Sequence, residues 1–316
     1  MSVSAPHLLP EGQAVARRQG LNPRAAIVLV AAAALTILTT FVMATDHAGA
    51  VAPHAHPSTG LNPLYSISGF LVGALVGLTG VGGGSLMTPL LVLLFGFHPG
   101  TAVGTDLLYA SATKAVGAAV HGANKTVDWR IVGRMSLGSV PASALSLWLL
   151  YLLGAHGDLA GKVISITLGV ALILTAATLL FRNRLLAFAI EKLPAPSEKA
   201  TAILTTVLGA ALGVLITLSS VGAGAIGVTV LIFLYPRLAT ARIVGTDIAH
   251  AVPLTLIAGL GHWWLGSVNF SLLGSLLVGS IPGIIIGSYF SARIPDRVLR
   301  PVLATTLAVV GGKLAF

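Results

Sequence analysis

Apolar stretches separated by short polar gaps run along most of the chain, and two of them are broken in the middle by glycine. The first runs from Leu64 to Phe97 and is interrupted by Leu78-Thr79-Gly80-Val81-Gly82-Gly83-Gly84-Ser85. The second, from Thr201 to Leu234, is interrupted 140 positions later by Leu218-Ser219-Ser220-Val221-Gly222-Ala223-Gly224-Ala225. Backbone that leaves a helix in hydrocarbon must find its hydrogen bonds in protein or water. Two such breaks at corresponding places in two halves predict discontinuous helices meeting around a binding site.

Unbroken apolar runs follow each broken one, at about 101–120, 131–153 and 160–181, and again at about 240–262, 270–291 and 298–315. The halves match beyond the glycines. Val103-Gly104-Thr105-Asp106 recurs as Val244-Gly245-Thr246-Asp247, Val127-Asp128-Trp129 as Val268-Asn269-Phe270, and Gly138-Ser139-Val140-Pro141 as Gly279-Ser280-Ile281-Pro282, all at an offset of 141. One inserted residue relative to the glycine breaks accounts for the difference, so the chain reads as an internal duplication.

The placement of Lys and Arg orients the segments, because short cytoplasmic loops collect them. Residues 1–24, with Arg17, Arg18 and Arg24, read as a flexible cytoplasmic lead. Residues 25–45 read as an N-terminal transmembrane helix. A signal peptide is the alternative, since Ala48-Gly49-Ala50 offers a small-residue cleavage site. Residues 46–63 have no Lys or Arg and form an extracytoplasmic loop, and their His54-x-His56 lacks a third ligand, so no metal site is predicted. If segment 64–97 returns to the side it entered from, Lys125, Arg130 and Arg134 fall inside; if it crosses, they fall outside. The rule therefore selects a hairpin.

Repeat 1 spans 64–181, a cytoplasmic linker occupies 182–200 with Arg182, Arg184, Lys192 and Lys199, and repeat 2 spans 201–316. The same rule makes 201–234 a hairpin and leaves the C-terminus extracytoplasmic. Each half then holds one hairpin and three full spans, and an odd number of spans inverts the second half. The predicted fold is an all-α polytopic membrane protein with two inverted-topology repeats, each a glycine-tipped re-entrant hairpin plus three transmembrane helices, and an extra N-terminal helix. Hairpin arms of about 16 and 13 residues reach only about 20 to 24 Å, short of a core of about 30 Å.

Composition agrees with a cell-membrane, multi-pass chain: 55% of residues are hydrophobic, 9% are charged, and the mean hydropathy is +0.95. The net charge of +9 sits in the gaps between apolar runs, which is a topological pattern and not a nucleic-acid surface. The absence of cysteine excludes disulfides, thiol catalysis and thiolate metal sites.

The turn Leu78-Thr79-Gly80-Val81-Gly82-Gly83-Gly84, the Ala102-Val103-Gly104-Thr105 element, the Val127-Asp128-Trp129 loop and their weaker second copies together resemble the sulfite exporter TauE/SafE family over roughly residues 64–316. The resemblance implies a bacterial or archaeal plasma-membrane permease for small anions, sulfite, sulfonates and related sulfur-containing organic acids among them, driven by an ion gradient. The second turn departs from the fuller glycine pattern at Ser219, Ser220 and Ala223, so a less symmetric site is expected.

An oxyanion needs donors without bulk. The backbone of Gly82, Gly83, Gly84 and Ser85 at the start of a half-helix supplies them, as do Gly222 and Gly224 from the other tip, with hydroxyls from Thr79, Ser85, Ser219 and Ser220. The competing reading is that these glycines only permit tight turns and close helix packing. Asp106 and Asp247, expensive inside apolar spans, are candidates for coupling to an ion, a proton first, or for capping backbone N–H groups. Lys114 either pairs with Asp106 or offers the substrate a cation, and His250, close after Asp247, is the preferred relay among His121, His250 and His262.

No phosphate-loop ending, His-Glu-x-x-His or Gly-x-Ser-x-Gly occurs, so neither nucleotide use nor an intramembrane enzyme is predicted, and no cofactor. The expected partners are a small anion, a proton and the bilayer, with assembly into a homo-oligomer left open. An anion channel and a non-transporting sensor or assembly factor are the alternatives to a secondary carrier that works by alternating access.

Overall fold

The computed structural model describes residues 61–79, 84–192, 197–222, 224–291 and 296–315. Within them every regular element is an α-helix: α1 (Pro63–Thr79), α2 (Gly84–Leu93), α3 (Pro99–Ala123), α4 (Trp129–Leu152), α5 (Asp158–Lys192), α6 (Glu198–Ser219), α7 (Ala225–Leu234), α8 (Thr240–Trp264), α9 (Phe270–Ser291) and α10 (Asp296–Ala315). The expected helix over 25–45 and tip residues 80–83 lie outside the described residues. Among those described, Trp129–Leu152, Asp158–Arg182, Glu198–Ser219, Thr240–Trp264 and Phe270–Gly287 are long and apolar enough to cross a membrane.

Both glycine breaks end one helix and begin another, and the chain doubles back at each. Tyr65 at the start of α1 meets Phe95 and Phe97 beyond α2, with ring centroids 5.0 and 5.8 Å apart. Thr205 in α6 meets Tyr235 beyond α7, hydroxyl to hydroxyl, at 2.8 Å. The arms are less equal than the sequence predicts. At 22 residues, α6 reaches about 33 Å, a full crossing, whereas α7 at 10 residues reaches about 15 Å. The extra length of α6 comes from its ends. Ser197 accepts a hydrogen bond from Ala200 N and starts the helix before the apolar run, and the last turn holds until Ser220 takes a left-handed conformation at φ 58°. Likewise α5 continues to Lys192, past the Arg182 where the linker is expected, because charge marks the end of the apolar surface and not the end of the helix.

The two halves interlock. α1 packs on α9 and α4 on α6, so the long arm of each hairpin lies along a helix of the other half. Small residues bring the backbones together: Gly209 against Met135, Gly213 against Ser139, Gly138 against Thr206 and, in the other pair, Gly69 against Leu276 and Gly279 against Ser66. A Ser143–Thr217 hydroxyl bond of 2.7 Å continues the first row. Apolar side chains such as Leu137, Leu145, Ile203, Val207 and Ile285 remain on the outer faces, as contact with lipid requires.

At the centre α3 and α8 run antiparallel. Gly104 near the start of α3 lies against His262 near the end of α8, and Gly245 near the start of α8 lies against His121 near the end of α3. The loops lock the pair reciprocally, since Thr246 Oγ1 accepts from Asp128 N at 2.9 Å and Thr105 Oγ1 accepts from Asn269 N at 3.0 Å. Thr105 and Thr246, like Asp128 and Asn269, are the repeat counterparts 141 positions apart.

Candidate functional site

The second hairpin tip is built by backbone that only its sequence permits. Ser220 ends α6, Gly222 and Gly224 take φ of 130° and 103°, and α7 begins at Ala225. That turn aims the first N–H groups of α7 at α8. Gly224 N donates to Asp247 Oδ2 at 2.8 Å, and the carboxylate lies so close to the first turn of α7 that a side chain at Gly227 would strike its Oδ1. A helix N-terminus favours negative charge, and here that charge is the protein's own.

The expected hydroxyl donors divide. Ser219 is spent on ending α6, donating to Leu215 O at 2.5 Å and accepting from Val221 N at 3.2 Å. Ser220 Oγ is buried beside the Asp106 carboxyl without an aligned hydrogen bond. At the first tip Gly84 opens α2 and Ser85 is buried in its first turn, while Gly82, Gly83 and the Thr79 side chain lie outside what the structure describes.

Asp106 takes a partner that sequence reasoning missed, Thr88 of α2, whose hydroxyl donates to Oδ2 at 2.5 Å. The signal was a lone Thr in the apolar returning arm, where the second repeat has Val228. Two further bonds were also missed. Tyr109 on α3 pairs with Ser280 on α9, and His250 Nε2 on α8 pairs with Ser139 Oγ on α4 at 2.9 Å. These are the same bond in the two repeats, because Tyr109 and His250, and Ser139 and Ser280, are 141 apart. The repeat offset could have found them.

The centre thus collects polar groups that the surrounding packing does not saturate. Asp106 Oδ1, Asp247 Oδ1, His250 Nδ1 and Ser220 Oγ are buried with no hydrogen-bond partner among the described residues. Lys114, half-buried on α3, stands within Coulombic reach of both Asp106 and Asp247. Buried polar atoms without partners cost free energy unless something else occupies the space they face. His121 and His262 stay at the ends of the crossing, His121 Nδ1 with Thr126 Oγ1 at 2.8 Å and His262 Nε2 donating to Thr217 O at 3.0 Å.

Basic residues gather at the opposite loops. Asp128 caps α4, accepting from Arg130 N and Ile131 N, and pairs with Arg242 at 3.2 Å, while Arg134 donates to the Tyr235 hydroxyl at 3.3 Å. Lys125, Trp129 and Arg130 are exposed beside them. The loops around 94–98, 153–157 and 265–269, at the other ends of α3, α4 and α8, contain no Lys or Arg.

A model of the sulfite exporter TauE/SafE family matches residues 65–314. The chain is 39% identical over 252 residues to the probable membrane transporter protein YjnA of Bacillus subtilis, an alignment covering 78% of this chain and 97% of that protein. It is 30% identical over 255 residues to the probable membrane transporter protein YdhB of the same organism, covering 78% and 97%. A probable membrane transporter protein of Methanocaldococcus jannaschii, MJ0441, is 26% identical over 270 residues, covering 79% and 94%. No solved structure matches the chain.

Proposed function

The chain belongs to the sulfite exporter TauE/SafE family of membrane transporters, and from that premise we propose that it is a proton-coupled secondary carrier of a small sulfur-containing anion, sulfite or an organosulfonate. The observation that carries this reading is the row of unpartnered buried polar atoms of Asp106, Ser220, Asp247 and His250 along the antiparallel crossing of α3 and α8, with Lys114 within Coulombic reach of both carboxylates. A single cation flanked by carboxylates can hold an anion only if protons offset the added negative charge. The charge count supports coupling to a proton.

The reciprocal contacts support two inverted repeats related by an axis through that crossing, with each glycine tip entering from its own side. Alternating access then consists of rocking the α1–α9 and α4–α6 pairs against the α3–α8 crossing. Tyr109–Ser280 and His250–Ser139 are the bonds that tie the crossing to the two pairs. The exporting direction, the cell membrane as location and an extracytoplasmic C-terminus belong to the same proposal.

Flux into proteoliposomes tests it. Sulfite, taurine, sulfoacetate and sulfate are offered with and without an imposed pH gradient, to the unaltered protein and to Asp106→Asn and Asp247→Asn. Saturable, gradient-driven uptake of at least one sulfur anion, reduced to the level of empty vesicles without the gradient or in either variant, is expected. Absence of flux for all four anions overturns the carrier, and flux without saturable counterflow makes it a channel.

A further inference from the structure

We infer that the Asp247 carboxylate is a resident anion in one half of the substrate seat, so that a transported anion and the negative charge on Asp247 exclude each other there. This rests on the transport reading above and adds to it an order of events. The seat is the N-terminus of α7, a helix of 10 residues whose N-cap N–H, Gly224 N, is taken by Asp247 Oδ2 at 2.8 Å. The seat is not saturated by this bond: Asp247 Oδ1 and, one turn along α8, His250 Nδ1 are buried at 1% and 1% exposure and lack a hydrogen-bond partner among the described residues.

The groups facing Asp247 decide what happens when an anion arrives. From α3 this is Lys114, which is also within Coulombic reach of Asp106, and His250 lies one turn along its own helix. α7 contributes no titratable side chain, those of α6 are Glu198 and Lys199 at its far end, and Asp128 at the start of α4 is held by Arg242. One ammonium thus faces two carboxylates, and a third negative charge in so enclosed a place is strongly opposed. The opposition ends when Asp247 takes a proton from the medium to which the seat is open. Its carboxylate becomes a neutral acid, the Gly224 N–H passes from Asp247 Oδ2 to an oxygen of the anion, and the new O–H adds a donor to the seat. The balance is one anion and one proton bound together, and both leave together on the other side.

In the first repeat Asp106 takes a hydroxyl donor, Thr88, where Asp247 takes a backbone N–H.

Isethionate tests this, because its sulfonate stays ionised from about pH 5 to about pH 8 and any pH dependence of its binding belongs to the protein. Binding is read by protection of the detergent-solubilised full chain against thermal unfolding. For the unaltered chain, affinity is expected to weaken about tenfold per pH unit toward the alkaline end, as uptake of one proton per anion demands. Asp247→Asn is expected to bind equally well at both ends of the range.

The same pH slope in Asp247→Asn overturns the inference, as does failure of that variant to bind isethionate at any pH. Proton uptake by the unaltered chain on adding isethionate in weak buffer is a second measurement that needs no variant, and no uptake sinks the idea. If vesicle flux fails while Asp247→Asn binds isethionate without pH dependence, the carrier reading falls and the exchange at the seat stands.

Discussion

At the scale of single residues, the site is a set of substitutions on a symmetric plan. The repeat offset pairs Tyr109 with His250 and Lys114 with Thr255, and each pair carries different chemistry. Lys114 in one repeat and His250 in the other, each without its like at the counterpart position, make the two faces of the crossing inequivalent. Sequence alone exposed both aspartates, since Gly-Thr-Asp recurs intact, but not their partners, because a hydrogen bond between Asp247 and Gly224 spans 23 residues and depends on how α7 meets α8. Another residue-scale prediction concerns the loop before α3, where Gly100 N donates to His98 Nδ1 at 3.2 Å and the His98 ring lies 6.1 Å from that of His156. Burial, and secondarily His156, hold the His98 imidazole below its usual value, with Asp158 opposing. A folded-state value below the unfolded one means that stability is full above about pH 6.5 and is lost as pH falls through that value toward the folded one. The melting temperature should therefore drop from neutral pH to about pH 5, and His98→Asn, which can accept from Gly100 N without titrating, should shrink that drop. An equal drop in the variant refutes the assignment.

At the scale of elements, close approach between helices replaces a hydrophobic driving force, which lipid does not supply. α4 provides an internal comparison. Gly138 faces Thr206 O and Ala210 N so tightly that any side chain collides with backbone, whereas Gly133, on the same helix, faces open space. Gly138→Ala is expected to push α6 away and lower the melting temperature of the purified protein, with loss of monodisperse material. Gly133→Ala should be neutral or stabilise by up to about 1 kcal/mol through helix propensity. Equal effects of the two would mean that the α4–α6 contact is looser than the structure shows. The sequence announced these glycines but not their partners, because period and composition mark a face without saying which helix covers it. The long arm α6 covers α4 across the two halves because its glycines stand in register with Met135 and Ser139. The length of α6 was misjudged for a related reason: a cap at Ser197 and a left-handed Ser220 set its ends, and neither leaves a mark in the hydropathy.

At the scale of the whole molecule, the aromatic residues and the charges lead to one prediction of orientation. Trp129 opens α4 beside the basic loops, and Tyr151 near its other end stacks on Trp264 at 5.9 Å while Trp263 meets Phe270 at 5.8 Å. From Trp129 to Tyr151 the helix rises about 33 Å, close to a hydrocarbon core of about 30 Å, so the two sets of aromatics have the spacing expected of rings at the two interfaces, where they are favoured. The loops bearing Lys125, Arg130, Arg237 and Arg242 then fall on one face and the loops without Lys or Arg on the other. Because the chain has no cysteine, single replacements report their side directly. Ala123 and Trp264 are repeat counterparts 141 apart, both exposed, at the ends of α3 and α8. A parallel duplication would place them on the same face of the membrane and an inverted one on opposite faces. In whole cells Trp264→Cys should react with an impermeant maleimide, and Ala123→Cys should react only after permeabilisation. Labelling of both from outside would remove the inversion and, with it, the two-sided approach of the hairpin tips on which alternating access depends. Reversed labelling would preserve the inversion but turn the molecule over, placing the α7 seat and Asp247 nearer the outer medium and making the proton enter with the anion from the opposite side.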